Sequence, residues 1–200
     1  DSTLFDVFTL PMISGDPKTA LTAPQSLVIT EKIALKYFGS TDVAGRQLFA
    51  DNNDVYNITG VIENIPAQSH FHYDFFVAMS RLDESRIPNW FDQNYHTYIL
   101  LKKGVDNRRF EAGVNNWVNA YVDPELRKLL NTSIAEMEKN GDGLNTSMMP
   151  LTKIHLYSDK LDELEPNGSI SYVYIFSTIA VFILLIACVN FMNLSTARSA

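Results

Sequence analysis

The chain has 200 residues, 46% hydrophobic and 20% charged, with a mean hydropathy of −0.05 and a formal net charge of −7. Residues 1–165 hold all 23 acids and 15 of the 16 bases, a formal charge of −8 that argues against a nucleic-acid partner, which wants a basic face. The single cysteine, Cys188, rules out an intrachain disulfide and fits a bacterial envelope or cytosolic protein better than a secreted eukaryotic module.

Ser2–Leu10 clusters Leu4, Phe5, Val7, Phe8 and Leu10, the mark of a short buried element, and Gly15-Asp16-Pro17 reads as a turn. Ser26–Thr30 (SLVIT) reads as a strand. Thr30 is placed to cap a helix over Glu31–Phe38, with Ile33, Ala34, Tyr37 and Phe38 on one face and Gly39 at the stop. Strands are expected at Gln47–Ala50 and Val55–Glu63, joined by a hairpin turn at Asp51-Asn52-Asn53-Asp54. Tyr73–Met79 reads as another strand, and Tyr95–Lys102 alternates as a strand does.

Asp106 begins a helix to about Tyr121 whose inner face is Phe110, Val114, Trp117, Val118 and Tyr121. A second helix is expected from Pro124, at a first-turn position, to Lys139. Ser147–Leu156 reads as a last strand, and Tyr157–Ser169 as a connector. Strands and helices intermingle without a βαβ repeat, so the class is α+β.

The end of the chain is different in kind. Pro166–Ala197 contains no charged residue, and Val173–Leu194 as a helix would span about 33 Å against a hydrocarbon core of about 30 Å. This is read as a transmembrane helix; the plainer alternative is a fully buried core helix. With Asp159–Glu165 on one side and Arg198 on the other, the positive-inside rule puts the C-terminus in the cytoplasm and residues 1–165 outside. Tyr172 and Tyr174 would lie at the outer headgroup level. Asn190 and Asn193, three apart, share a helical face and call for a companion helix, so the chain reads as part of a longer membrane protein.

The candidate chemistry is thin. His70, His72 and Asp74 would share one face of a strand, and two histidines with a carboxylate can hold a metal; spacing puts no third histidine in range, although His96 or His155 could approach. The plainer reading is a polar face beside a loop. Asp159, Asp162, Glu163 and Glu165 could take a cation, but read more simply as a solvated connector. No nucleophile elbow and no phosphate-cradling Gly-rich loop occurs, so neither an ATPase nor another catalytic motif is present and no cofactor is expected in this chain. The sequons at Asn57, Asn131, Asn145 and Asn167 read as chance in an Asn-rich chain.

Val28-Ile29-Thr30-Glu31, Ala34-Leu35-Lys36-Tyr37-Phe38-Gly39, Asp42-Val43-Ala44-Gly45-Arg46, Tyr56-Asn57-Ile58-Thr59-Gly60-Val61 and the loop from Pro66 through Ser69-His70-Phe71-His72 resemble the MacB-like periplasmic core domain of ABC-type permeases. The close, Ala187-Cys188-Val189-Asn190-Phe191-Met192-Asn193-Leu194-Ser195-Thr196-Ala197-Arg198-Ser199, is similar to the start of an FtsX-like permease domain. The flavour is that of the permeases of Bacteroidota-type bacteria.

The resemblance implies a two-lobed periplasmic domain over 1–165, with a variable lobe within roughly 80–150, a connector at 166–172, a transmembrane helix at 173–194 and the start of a cytoplasmic segment at 195–200. It implies an inner-membrane, dimeric permease of four membrane helices, this one the second. A separate cytoplasmic ATPase would bind ATP and Mg, and its closure would drive periplasmic motion, or mechanotransmission. Implied partners are that ATPase, a second permease copy or paralogue, membrane lipid, and a periplasmic adaptor or outer-membrane channel. Implied outputs include export of peptide, drug or lipoprotein-like cargo. The competing reading is the ligand-binding ectodomain of a membrane-bound sensor or receptor kinase; a third is an envelope hydrolase using His70 and His72.

Overall fold

The computed structural model describes residues 1–50, 54–87, 89, 95–144, 146–160 and 162–199. Most of the hairpin turn expected at Asp51–Asp54, and the sequon residue Asn145, lie outside the described residues. The chain divides into two compact units, Asp1–Met148 and Met149–Ala200.

Strand β2 (Ser26–Thr30) organises the first unit, and all five of its residues are buried. SLVIT is apolar on both faces, so both must be covered. It pairs in parallel with β4 (Asp54–Ile62) and antiparallel with β5 (Phe75–Val77). β1 (Met12–Gly15), an element without a clear sequence signal, and β3 (Gln47–Ala50) both pair antiparallel with β4. The sheet order is β1-β4-β2-β5, with β3 beside β4.

One face buries Leu27, Ile29, Ile58 and Val61 under Ile33 and Ala34 of helix α2 (Glu31–Phe38), with Val43 closing the cluster. The other buries Val28 and Ile62 against Ala20, Leu21 and Ala78, with Leu4 and Phe5 of helix α1 (Leu4–Val7) packed on it. Each such aliphatic side chain contributes about 1.5–3 kcal/mol on burial.

A β-bulge makes this division possible. Ile58 and Val61 are three apart and would face opposite ways on a regular strand. They share a face because Leu27 pairs with Ile58 while Val28 pairs with Gly60, leaving Thr59 as the extra residue. The Thr59 hydroxyl is within hydrogen-bond reach of the Ala20 carbonyl (2.5 Å) and the Leu27 carbonyl (3.2 Å).

Helix α2 starts and stops where the sequence indicates, and Gly39 closes it at φ +68° with its N–H donating to the Leu35 carbonyl. Thr30 occupies the N-cap position as expected, but its side chain makes no capping bond. The Thr30 hydroxyl donates to Asp74 Oδ1 at 2.9 Å, and the Lys32 N–H instead donates to Asn64 Oδ1 at 2.9 Å. Tertiary partners outcompete the local cap.

Three further expectations are corrected. Tyr95–Lys102 forms no strand; Tyr98 is held by Phe8 and His70, while Ile99 and Leu100 stay exposed. The helix begun at Asp106 does not stop near Tyr121. Helix α3 (Asn107–Leu130) runs through Pro124, with Val122 and Leu126 buried on either side of the proline. Its core face is Val118, Val122 and Leu126, packed with Ile134 of helix α4 (Ile134–Lys139). Trp117 and Tyr121, expected inside, are 52% and 49% exposed and lie against each other at 4.8 Å, because the buried stripe is rotated toward residue 122.

The α3–α4 corner is fixed by one carboxylate. Asp123 accepts from Arg127 Nε at 2.7 Å and from the Ile134 N–H at 2.9 Å. Those bonds, the Arg127 one first, hold its pKa below the ordinary carboxylate value. Ser133 and Glu136 complete a capping box on α4.

The third correction lies in the second unit. The strand expected at Ser147–Leu156 is helix α5 (Leu151–Tyr157). A short apolar run does not distinguish the two periods, and Pro150 at the start suits a helix.

Candidate functional site: the membrane helix and the loop that holds it

Helix α6 (Ile170–Ser199) has 30 residues, so the apolar run read as Val173–Leu194 is contained in a longer helix of about 45 Å. That exceeds a hydrocarbon core of about 30 Å by nearly three turns. The segment Ile170–Arg198 is long and apolar enough to cross a membrane, and none of its most apolar window is buried. The buried-core-helix alternative therefore has no support among the described residues. Tyr172 and Tyr174, 64% and 62% exposed, stand in the first turns, where amphipathic rings suit a headgroup layer.

Polar groups along α6 fall into two kinds. The Thr178 hydroxyl donates to the Tyr174 carbonyl at 2.7 Å, and the Thr196 hydroxyl to the Met192 carbonyl at 2.9 Å. Both satisfy themselves within the helix. Asn190 and Asn193 are exposed on α6 and make no hydrogen bond among the described residues.

The chain between α5 and α6, Ser158–Ser169, folds back on itself. The Gly168 N–H donates to the His155 carbonyl at 2.8 Å, and the Ser158 N–H to the Ile154 carbonyl at 3.0 Å. The Ser158 hydroxyl donates to the Glu163 carboxylate. An open cavity of about 410 Å³ is lined by residues 158–160 and 163–167 of this loop. No sequence signal marked Gly168, His155 or Ser158 as partners.

The histidine loop is built differently from the strand face expected of it. Residues 70–73 form no strand, so His70, His72 and Asp74 do not share a face. His70 Nε2 lies 2.6 Å from the Tyr98 hydroxyl, inside an aromatic cluster with Phe8 and Phe71. His72 Nε2 lies 3.2 Å from the Pro66 carbonyl. Asp74 bonds Thr30 and, at 2.9 Å, Lys32. The Lys32 ammonium holds its pKa below the ordinary value; partial burial opposes this and the Thr30 hydroxyl reinforces it. His96 is exposed, and His155 sits on α5 in the second unit. No three His, Cys, Asp or Glu side chains among the described residues converge as metal ligands would.

A mixed five-stranded sheet with α2 over one face and an apolar helix at the far end of the chain is the arrangement to be placed. A family model described as the MacB-like periplasmic core domain matches residues 1–117, more than half of the chain. The chain belongs to the MacB-like periplasmic core domain family. The match takes in the whole sheet, the histidine loop and the first part of α3; α4, α5 and α6 lie beyond it. The core domain is that of ABC transporter permeases, here followed by a helix fit to cross a membrane.

Two solved structures are similar to the core domain. One is a domain assigned to a permease protein from Porphyromonas gingivalis, 23% identical, TM-score 0.49, matched over 64% of this chain and 56% of that one. The other is the periplasmic region of MacB from Actinobacillus actinomycetemcomitans, 13% identical, TM-score 0.41, over 60% and 53%. The match thus spans just over half the length of either structure. No curated protein matches the chain.

Proposed function

We propose that this chain is the periplasmic core domain and second membrane helix of a non-catalytic permease subunit of an ABC-type exporter. It couples a separate cytoplasmic ATPase, which binds ATP and Mg, to conformational change in the periplasm. The cargo class is peptide, drug or lipoprotein-like. The reading rests on one succession: a MacB-like core domain, then an apolar helix whose most apolar window is unburied among the described residues.

In this reading α6 crosses the bacterial inner membrane with residues 1–165 periplasmic and Arg198 on the cytoplasmic side, and its last residues begin an FtsX-like permease domain. Asn190 and Asn193 face a companion helix of the permease, because an unsatisfied carboxamide in hydrocarbon is costly. A second permease copy or paralogue completes the translocator, and an adaptor or outer-membrane channel receives the cargo. Motion passes from the membrane to the outer domain through α6 as a lever.

The test is insertion of a flexible Gly/Ser stretch between Pro166 and Ser169 in the full-length permease assembled with its ATPase. Transport then uncouples from ATP hydrolysis; unchanged coupling removes the lever.

A further inference from the structure

We propose that Gly168 latches helix α6 to helix α5, so that α5, the loop and the membrane helix move as one body. The purpose of such a latch rests on the coupling reading above; its substance rests on the geometry of the loop. Residues 158–169 are a twelve-residue link, and an untied link of polar composition would bend freely and lose any thrust delivered by α6.

Here the link is tied at both ends. The Gly168 N–H, two residues before α6, donates to the carbonyl of His155, the fifth residue of α5, at 2.8 Å. At the other end Ser158 continues α5 through its N–H to Ile154 and holds Glu163 through its hydroxyl.

The contact at Gly168 is made by closeness. A Cβ there would stand 3.3 Å from His155 Nε2, slightly tighter than ordinary packing, and in ordinary contact with Leu156 Cδ2 at 3.4 Å and the His155 carbonyl oxygen at 3.6 Å. The position demands a free N–H, which proline alone among the residues lacks, and any side chain there would press on the tips of His155 and Leu156. The latch needs no ligand and no titration, since its parts are a backbone donor and a backbone acceptor.

The experiment uses the full-length permease with its ATPase in nanodiscs, in a Cys188→Ser background. Spin labels are placed at Lys153→Cys on α5 and Ser177→Cys on α6. The latch gives a single narrow distance that ATP does not alter. Gly168→Pro, which deletes the donor, loses that single distance. A broad wild-type distribution, or an unchanged distance in Gly168→Pro, overturns the proposal.

If Gly168→Pro does not assemble, amide hydrogen exchange of the wild-type assembly reads the same bond. Protection of the Gly168 N–H supports the latch, and exchange at the rate of an open loop overturns it. A narrow wild-type distance without any ATP-driven movement of the periplasmic domain would overturn the coupling reading and leave the latch standing.

Discussion

The Asn64 carboxamide oxygen accepts from the Lys32 N–H at 2.9 Å, so helix α2 is capped from a loop thirty-two residues away. The same carboxamide donates to Glu31 Oε2 at 3.3 Å. Ile33 and Ala34 of this helix cover one face of the sheet, so the cap stabilises both the helix and the core beneath it. Asn64→Ala is expected to lower the unfolding free energy by about 1 kcal/mol, in the range of lost N-caps, measured by denaturant unfolding of the periplasmic unit. No change would show that α2 is held by packing alone.

Gly15 sits at φ +99°, and a Cβ there would lie 2.4 Å from the Thr59 carbonyl oxygen and 2.8 Å from Gly60 Cα. Both obstacles are backbone, at the bulge that divides the two cores. Gly15→Ala is expected to destabilise by about 1–3 kcal/mol from the backbone conformation alone, with more from displacing β4. Gly39→Ala, at φ +68° with open space around it, carries only the conformational part. Equal losses for the two variants would contradict the close approach of β1 to β4.

Asp74 confers a pH dependence whose sign is set by Lys32. Its pKa is lowered in the fold, so its contribution is present above the unfolded value of about 3.9 and is lost as pH falls through the folded value. The Lys32 and Asp74 side chains are 65% and 33% exposed, so the contribution stays below about 1 kcal/mol. Asp74→Asn keeps an acceptor for Thr30 and removes the charge. Its stability is expected to fall below wild type at neutral pH and to converge with it on acidification. A constant offset across pH would assign the effect to packing.

Asn190 and Asn193 differ from Thr178 and Thr196 in making no bond within α6 among the described residues. Replacing both asparagines by leucine is expected to weaken assembly of the permease by about 1 kcal/mol per lost interhelical bond, read as reduced recovery of the assembled complex in detergent. Thr178→Val, whose hydroxyl bonds its own helix, leaves recovery unchanged. Equal recovery for both would turn the asparagines toward lipid or solvent.

The central strands and α2 were legible because their signals are local, whereas β1 carries none. SLVIT carries three branched apolar residues in a row, Gly39 ends the helix with a φ that favours glycine, and the long apolar run needs only its length. What escaped was set by distant partners. Thr30 looks like a cap but bonds Asp74. Pro124 looks like a helix start, yet α3 continues because Val122 and Leu126 are buried and Asp123 ties the next turn to α4.

The site was legible in one half. The membrane helix announces itself, whereas the contact of Gly168 with His155 spans thirteen residues through an irregular loop that no periodicity describes. The histidine pair misled for the opposite reason. Alternation proposed a shared face, and aromatic packing of Phe8, Phe71 and Tyr98 took His70 elsewhere.

The most direct test of the account is the side of the membrane on which the core domain lies. Lys128, exposed on α3, is replaced by cysteine in a full-length Cys188→Ser protein and treated with a membrane-impermeant maleimide. Cells with a permeabilised outer membrane and an intact inner membrane are expected to label fully. Labelling only after the inner membrane is broken would contradict a periplasmic core domain and the exporter reading with it.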